Sequence, residues 1–440
     1  MTSRREAAVF ALCLGLQGCI VCWLGFAASS GSSPSTIVAG LAACFVPYAG
    51  ALAFSHSLQS RRAVHLAAIV TPLIFGAPLL FAPPLLSDDL YRYLWEGRVW
   101  LDGFNPYMFA PDDPALAHLR DDLWANVNNK PLGSIYPPLS QLLFVVAGAL
   151  GGQVWTAKLL ALVAHVFSVA VVARVSSEPK ASLAIALNPL LLSEAALNGH
   201  LDILCGVALL VTAWALSQHR FARAGIAACA AVGLKVVGLI VLPLFARRPR
   251  MLFATGLASA LLLVPLVGFR PPVDPVSGTG QFATRWRGNE SVFALIDWVS
   301  RELFAEGSAG LVSRSVVVLI VLALCAVAMH RRVPAIRAAR TLVWALLLLS
   351  PQVHPWYLAW LLPLEVVAGG VAGLVWSAAV LCAYAPLDQW VSEGVWDMPL
   401  WLHVFEYSVV AVALILDPRR PSLARPVPDG QFPRDSGSLA

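Results

Sequence analysis

Residues 87–107 read Ser-Asp-Asp-Leu-Tyr-Arg-Tyr-Leu-Trp-Glu-Gly-Arg-Val-Trp-Leu-Asp-Gly-Phe-Asn-Pro-Tyr. This polar stretch directly follows an apolar run over residues 63–86. Charge at a membrane boundary costs free energy unless it has a function or a good partner. We therefore predict that a membrane helix ends here and that a functional loop begins.

The charged residues of this stretch have helical spacing. Arg92 lies four residues after Asp88 and three after Asp89, and Glu96 lies four after Arg92. On a helix these side chains share one face, and Ser87 is a candidate N-cap. Acids in a first turn are common complements of the helix dipole, but that explains one acid and not the whole cluster. The predicted catalytic residues are Asp88, Asp89, Arg92 and Glu96.

The composition identifies a membrane protein. Of the 440 residues, 58% are hydrophobic and 12% are charged, about half of the usual charged share of ~25%. Apolar runs of bilayer-spanning length recur from end to end. The sequence therefore predicts an all-α, polytopic transmembrane bundle of about 11 to 13 membrane helices and excludes a sizeable soluble domain. The net charge of +5 comes from Arg-rich flanks, so no nucleic-acid partner is expected.

The domain organisation is simple. We predict one integral membrane domain over residues 1–416, and a disordered cytoplasmic tail over 417–440 because that segment is rich in Pro, Ser and Arg. The first apolar run, residues 7–28, is long and has no small-residue cleavage site, which predicts an uncleaved anchor. All eight cysteines fall inside apolar runs, so no disulfide framework is expected.

The basic residues predict the orientation. Arginine pairs at positions 4–5 and 61–62 flank the first three apolar runs, and the positive-inside rule makes both flanks cytoplasmic. Residues 87–152 would then form a long extracytoplasmic loop, with a short interfacial helix over 139–150. The expected location is the inner or plasma membrane, with the active site facing away from the cytoplasm.

Two apolar runs are interrupted by polar residues. The run 224–246 contains Gly233 and Lys235 and has basic residues at both ends, which predicts two half-length helices. The run 341–364 is interrupted around His354 by two prolines, which predicts an outer turn. Lys235 could simply snorkel to an interface, but a cation at a helix break could also meet a lipid phosphate.

This topology collects the unusual polar side chains at one membrane face, as expected of an active site in a groove. The guanidinium fork of arginine matches phosphate oxygens, so the candidate phosphate-binding residues are Lys235, Arg285 and Arg287. An aromatic pair such as Trp356 and Tyr357 also fits an ordinary interfacial belt. The candidate substrate-binding residues are Tyr136, Asn198, His200, Asp202, His354, Trp356 and Tyr357.

Six motifs, in this order, resemble one family. They are Asp88-Asp89-Leu-Tyr-Arg-Tyr-Leu-Trp-Glu-Gly, Gly103-Phe-Asn-Pro-Tyr, Ile135-Tyr-Pro-Pro, Leu187-Asn-Pro-Leu, Asn198-Gly-His-Leu-Asp and Pro351-Gln-Val-His-Pro-Trp-Tyr. The chain is similar, over roughly residues 60–390, to the bacterial polyprenol-phosphate-mannose-dependent mannosyltransferases of the GT-C glycosyltransferase superfamily. The resemblance implies a polyprenyl-phosphate sugar donor, an extracytoplasmic active site and catalysis by an acid of the first outer loop, which Asp88 or Asp89 matches.

The chemistry of such a transfer assigns roles to these residues. A glycosyl phosphoester is cleaved through an oxocarbenium-like transition state, and inverting transfer needs one general base for the hydroxyl of the glycan or glycolipid acceptor. The leaving phosphate needs cations. One of the paired aspartates would therefore be the base. No cofactor is certain, although paired aspartates could hold a divalent cation.

Two other functions are compatible with the sequence. A transporter or flippase would also have broken helices and intramembrane polar residues, but no internal repeat is evident. A GT-C enzyme could instead use another polyprenyl-phosphate sugar, such as arabinose or glucose.

Overall fold

The computed structural model describes residues 2–58, 60–268 and 277–419. Within these ranges the chain is helical, and its single β-bridge joins Gly288 to Gln352. The predicted all-α architecture is therefore confirmed. The predicted disordered tail lies outside the described residues from position 420 onward.

Three long helices begin the chain: α1 (Thr2–Ser29), α2 (Pro34–Phe54) and α3 (Arg61–Leu80), with a 3-10 turn at Ser55–Ser57. Ser33 caps α2, since its side chain accepts a hydrogen bond from the Thr36 amide. After α3 come α4 (Asp89–Leu101), the 3-10 helix Pro114–Leu119, α5 (Asp122–Ala125) and α6 (Pro138–Ala149). These elements form the loop that the sequence predicts to be functional.

Helices α4 and α6 pack at very close range. A Cβ added at Gly97 would lie 2.1 Å from the carbonyl oxygen of Phe144, so only glycine allows this approach. One turn earlier in α4, the ring of Tyr93 stacks on Phe144 with centroids 4.5 Å apart. The α4–α6 contact thereby fixes the face of α4 that carries Tyr93.

A buried lysine of the next helix, α7 (Val154–Val175), fixes the exit of α3. The Lys158 ammonium donates hydrogen bonds to the carbonyls of Leu79, at 3.3 Å, and Ala82. The last carbonyls of a helix have no partner within the helix, and Lys158 supplies one. This contact orients the chain where it leaves α3 toward Asp88.

The apolar stretch 181–197 lies in two helices, α8 (Pro179–Ala186) and α9 (Pro189–Ala196). Pro189 has no amide hydrogen, and Asn188 Oδ1 accepts from the Leu191 amide at 3.1 Å, so the pair ends one helix and starts another. After α9, Gly199 has a φ of +75°, a conformation that favours glycine. The chain there turns sharply into α10 (Asp202–Ser217).

The predicted break near Lys235 is confirmed. Helix α11 (Phe221–Leu234) ends at Lys235, which is extended (φ −150°, ψ 142°), and the 3-10 helix Val236–Phe245 follows. The Leu234 carbonyl left without a helical partner accepts from Ser140 of α6 at 2.6 Å. The extended backbone at Lys235 lets its side chain leave the helix packing.

The remaining elements complete the bundle. They are α12 (Pro249–Gly268), α13 (Gly278–Thr284), α14 (Val292–Leu303), α15 (Glu306–His330), α16 (Ala335–Leu348), the 3-10 helix Pro355–Tyr357, α17 (Leu358–Ala368), α18 (Ala372–Ala379), the 3-10 helix Val380–Tyr384, α19 (Leu387–Glu393) and α20 (Leu400–Leu416). The predicted interruption around His354 separates α16 from α17.

Among the residues that the structure describes, six helices are long and apolar enough to cross a membrane. They are Arg4–Ser29, Pro34–Ser57, Arg61–Leu80, Val154–Val175, Pro249–Leu266 and Gly307–His330. Further apolar helices have 10 to 17 residues and would have to combine across their breaks to span ~30 Å. The chain is thus a polytopic helical membrane protein, and the count of 11 to 13 spans stays a prediction.

A buried ionic cluster holds the end of α20 against its neighbours. Arg340 Nε lies 2.7 Å from Glu365 Oε2, and Asp417 accepts from the amides of Val371 and Ala372 at 2.9 and 3.2 Å. Buried ion pairs need all their polar atoms satisfied, and these backbone amides serve that need.

Candidate active site

The paired aspartates stand at the start of α4. Asp88 is the N-cap residue but makes no side-chain capping bond, and Ser87 Oγ accepts from the Asp89 amide at 3.3 Å. Both carboxylates instead accept hydrogen bonds from Asn128 Nδ2, at 2.8 Å each. The capping explanation therefore does not account for the pair. Sequence reasoning missed Asn128, which lies in the polar loop outside every motif.

The two carboxylates have different environments. Asp88 is exposed and Asp89 is half-buried. Burial would raise the pKa of Asp89, but the nearby His200 and Lys235 and the hydrogen bond from Asn128 hold that pKa below its usual value. Desolvation by the surrounding loop and the negative charge of Asp89 raise the pKa of Asp88. Asp89 is thus the more firmly ionised carboxylate.

Tyr93 links Asp89 to His200. Its hydroxyl lies 3.4 Å from Asp89 Oδ2 and 3.0 Å from His200 Nδ1. The sequence shows Tyr93 one turn after Asp89, but its contact with His200 depends on the tertiary fold. Tyr93 is therefore a site residue that the motif analysis did not select.

The rings of His200, Trp356 and His354 form one stack. Trp356 stacks against both His200, at 4.1 Å, and His354, at 4.3 Å between ring centroids. Burial lowers the pKa of both imidazoles to about 4, so both are neutral near pH 7. Tyr357 meets His354 edge-on at 5.2 Å. The two distant motifs that carry these residues therefore converge, as predicted.

Lys235 enters this site from the break after α11. Its Nζ lies 3.4 Å from Asp202 Oδ1 and 5.1 Å from the centre of the Tyr136 ring. Trp360 Nε1 donates to the same Asp202 oxygen at 2.9 Å, which orients the carboxylate. The Lys235 side chain remains 20% exposed, so its charge is accessible from outside.

A small cavity opens between these groups. Its lining includes Tyr93, Tyr136, Ser140, Phe144, Asp202 and Lys235. The Tyr136 ring meets Tyr93 edge-on at 5.1 Å, and the Tyr136 carbonyl accepts from the Tyr107 hydroxyl at 2.7 Å. The Asn-Pro-Tyr motif that ends with Tyr107 thus supports the wall that contains Tyr136.

Asn198 lies behind the cavity wall. Its side chain is buried, donates to Glu194 Oε2 at 3.1 Å and accepts from the Leu86 amide at 3.4 Å. Asn198 was predicted to bind substrate, but these contacts tie the α9–α10 turn to the segment before Asp88. Its position therefore favours a supporting role.

Arg92 and Glu96 form a buried ion pair with Nε and Oε1 2.6 Å apart. Arg92 also donates to the carbonyls of Asn128 at 3.2 Å and Leu132 at 2.6 Å. Glu96 accepts from Ser134 Oγ at 2.8 Å. The predicted i,i+4 alignment is present, and both side chains make their other contacts with the polar loop that follows α4. They position Asp88 and Asp89 through Asn128.

Arg285 and Arg287 have different surroundings from Lys235. Arg287 pairs with both oxygens of Glu290 and lies 2.5 Å from Asp297, so two carboxylates compensate its charge. Arg285 is exposed at the end of α13. The loop reaches the site through its backbone, because Gly288 exchanges hydrogen bonds with Pro351 and Val353 at 3.0 and 2.9 Å.

Across residues 2–58, 60–268 and 277–419, no group of three or more His, Cys, Asp or Glu side chains has the arrangement of a metal site. The two carboxylates of Asp88 and Asp89 remain the place where a divalent cation would be expected. That expectation stays a prediction.

Comparisons with known proteins identify similar mannosyltransferases. A family model described as "Alpha-(1->6)-mannopyranosyltransferase, N-terminal domain" matches residues 4–248. Alpha-(1->6)-mannopyranosyltransferase A of Mycobacterium tuberculosis is 26% identical over 387 residues, which cover 78% of this chain and 73% of that protein. No solved structure matches the chain.

Two proteins of Corynebacterium glutamicum are also similar. Its alpha-(1->6)-mannopyranosyltransferase A is 30% identical over 178 residues, covering 38% of this chain and 35% of that protein. Its alpha-(1->6)-mannopyranosyltransferase B is 26% identical over 342 residues, covering 64% of this chain and 56% of that protein. The region matched by the family model includes Asp89, His200 and Lys235.

Proposed function

Because the chain belongs to the alpha-(1->6)-mannopyranosyltransferase family, we propose that it transfers a mannosyl group from a polyprenyl-phosphate donor to a glycan or glycolipid acceptor. The transfer inverts the anomeric centre and takes place at the extracytoplasmic face of the membrane. The relatives are named for an alpha linkage, and inversion to an alpha product requires a beta-linked donor.

One observation carries this proposal. An ionised carboxylate at the start of α4 and a lysine at the break after α11 belong to one aromatic-walled site. Asp89 supplies the negative charge, Lys235 the positive charge, and Tyr136 the ring beneath the ammonium at 5.1 Å. This arrangement suits a transfer that needs a base for one substrate and a cation for the other.

The reaction follows from these charges. The acceptor hydroxyl attacks the anomeric carbon while Asp89 takes its proton, and the bond from that carbon to the phosphate oxygen breaks with its electron pair going to the phosphate. Interactions that strengthen as charge develops lower the barrier. Lys235 would therefore act mainly on the departing phosphate, whose negative charge grows in the transition state.

Among the three candidate cations, Lys235 has the strongest case. In the part of the chain that the structure describes, Lys235 forms one ion pair, with Asp202, which Trp360 also holds, whereas Arg287 is compensated by Glu290 and Asp297. Arg285 is exposed and could meet the lipid headgroup. We assign Lys235 to stabilisation of the departing phosphate. We assign Arg287 to the stabilisation of its own loop.

The aromatic stack would hold the sugar. Tyr136 and Tyr357 offer apolar ring surface, and the neutral His354 keeps its Nδ1–H to donate to a sugar hydroxyl, because its Nε2 accepts from Gln352. Gln352 Nε2 lies 2.5 Å from His354 Nε2, which fixes the orientation of that ring. Such walls suit a hexose carried on a lipid phosphate.

Reconstitution in lipid vesicles tests the proposal. Purified protein is given polyprenyl-phosphate beta-mannose and an alpha-mannose oligosaccharide, with the arabinose and glucose analogues and a nucleotide-linked mannose as alternative donors. We expect transfer from the polyprenyl-phosphate mannose. Preference for another polyprenyl-phosphate sugar would change the assigned donor, and transfer from the nucleotide sugar alone would overturn the proposal.

A further inference from the structure

A line of polar side chains continues behind Asp89 into the protein. From Asp89 Oδ2 it runs to the Tyr93 hydroxyl at 3.4 Å and then to His200 Nδ1 at 3.0 Å. His200 Nε2 lies 3.7 Å from Glu194 Oε2, and the Tyr384 hydroxyl donates to Glu194 Oε1. The line therefore joins the proposed base to a second, interior carboxylate.

The central residues of this line are buried. Tyr93, His200 and Glu194 are 3%, 2% and 3% exposed, and His200 Nε2 has no hydrogen-bond partner among the described residues. A buried polar atom without a partner is costly and calls for a functional explanation. Because His200 Nδ1 must be free to accept a proton from Tyr93, the neutral ring carries its hydrogen on Nε2, directed at Glu194.

We propose that Tyr93 and His200 form a proton relay for Asp89, and that Glu194 is a positioning residue that orients the His200 ring from its Nε2 side. The inference rests on the proposed function, in which Asp89 takes the proton of the acceptor hydroxyl. The relay would regenerate the Asp89 carboxylate before the product leaves.

The proton step is balanced as follows. After the transfer, the acceptor's proton is bound to Asp89 Oδ2. That O–H bond breaks as the Tyr93 oxygen takes the proton, while the proton originally on Tyr93 moves to His200 Nδ1. One proton is thus displaced from Asp89 to His200, Tyr93 is unchanged at the end, and no group is oxidised or reduced.

The titratable groups around His200 support this proton transfer. Asp89 and Tyr93 face it from α4, Glu194 from α9, and Asp202 Oδ2 at 3.9 Å from α10. Lys235 opposes its protonation, as does the neighbouring His354 when charged, while Trp356 and Tyr384 add no charge. Burial lowers the pKa of His200 to about 4 and the pKa of Asp89 is also below its usual value, so neither group holds a proton firmly near pH 7.

Tyr93 offers a clean substitution. Its ring stacks on Phe144 at 4.5 Å and meets Tyr136 edge-on at 5.1 Å, and Tyr93→Phe keeps this packing while it removes the hydroxyl. Tyr48→Phe is a matched control, because the buried Tyr48 hydroxyl donates to the Ala184 carbonyl at 2.9 Å, away from the site. Both variants lose one buried hydroxyl, and only one interrupts the relay.

The experiment compares turnover in H2O, D2O and their mixtures at saturating donor and acceptor. For Tyr93→Phe we expect kcat to fall on the order of tenfold, less than the ~10²–10⁴ attributed to a base itself, with the donor KM unchanged. The wild type and Tyr48→Phe should show a curved dependence of rate on deuterium fraction, since two protons move. Tyr93→Phe should show a straight line.

A double-mutant cycle with Glu194→Gln gives the second readout. If both residues serve one relay, the second substitution should cost little once the first is present. Additive losses, a straight deuterium dependence in the wild type, or an unchanged kcat in Tyr93→Phe would overturn the relay. Failure of the proposed function looks different, because Asp89→Asn would then retain wild-type turnover.

Discussion

Replacing Asp89 by Asn should nearly abolish transfer and leave the fold intact. The carboxamide keeps the size of the side chain, and its oxygen can still accept the hydrogen bond that Asn128 donates at 2.8 Å. Only the ability to take a proton is lost. We therefore expect normal expression, membrane insertion and thermal unfolding.

The size of the effect follows from the role of the base. Removal of a positioned general base costs ~10²–10⁴ in rate, which corresponds to about 3–5 kcal/mol of transition-state stabilisation. Asp88 is exposed and has a raised pKa, and it shares Asn128 with Asp89 without contacting Tyr93. Asp88→Asn should therefore lower kcat less than about tenfold.

Single-turnover transfer from a radiolabelled polyprenyl-phosphate mannose measures both variants at saturating donor. The informative quantity is the ratio of the two rate losses, since expression and reconstitution errors affect both equally. A larger loss in Asp88→Asn would assign the base to Asp88. Near-wild-type rates in both variants would refute a catalytic role for this part of α4.

Three further predictions use other parts of the site. Lys235→Ala should lower kcat by ~10²-fold with less effect on donor KM, Lys235→Arg should restore part of the rate, and a change in KM alone would speak against phosphate stabilisation. Arg92→Met leaves the buried Glu96 unpaired, which should cost about 3–5 kcal/mol in unfolding free energy; denaturation in detergent measures this, and Arg98→Met at a half-exposed pair is the control. Because Asp89 acts ionised and its pKa is below its usual value, kcat/KM should stay level from about pH 7 to about pH 5. It should fall only near pH 4, where His200 is protonated, and further at the lower pH at which Asp89 is protonated; an acid limb near pH 6 would contradict this.

Local sequence pattern predicted the features that depend on neighbours along the chain. The i,i+4 spacing of Arg92 and Glu96 predicted their ion pair. A lysine within an apolar run predicted the break at Lys235. Hydrophobicity does not show the break at Asn188-Pro189, because residues 181–197 are apolar on both sides of it; the signal for the break is a proline at the first helical position.

Tertiary contacts account for what the sequence could not show. Asn128 bridges the two aspartates across 39 and 40 positions, and Tyr93 reaches His200 across 107, so no local spacing marks either contact. Arg287 was expected near phosphate, yet Glu290 three residues later already suggested an ion pair. Its second partner, Asp297, could be identified only from the fold.

The anomeric configuration of the product tests the central claim most directly. Wild-type protein in vesicles is given polyprenyl-phosphate beta-mannose and a mannose oligosaccharide, and NMR determines the new glycosidic bond. Inverting transfer with Asp89 as base predicts an alpha-linked product, with almost none formed by Asp89→Asn. A beta-linked product, or equal product from wild type and Asp89→Asn, would contradict the account.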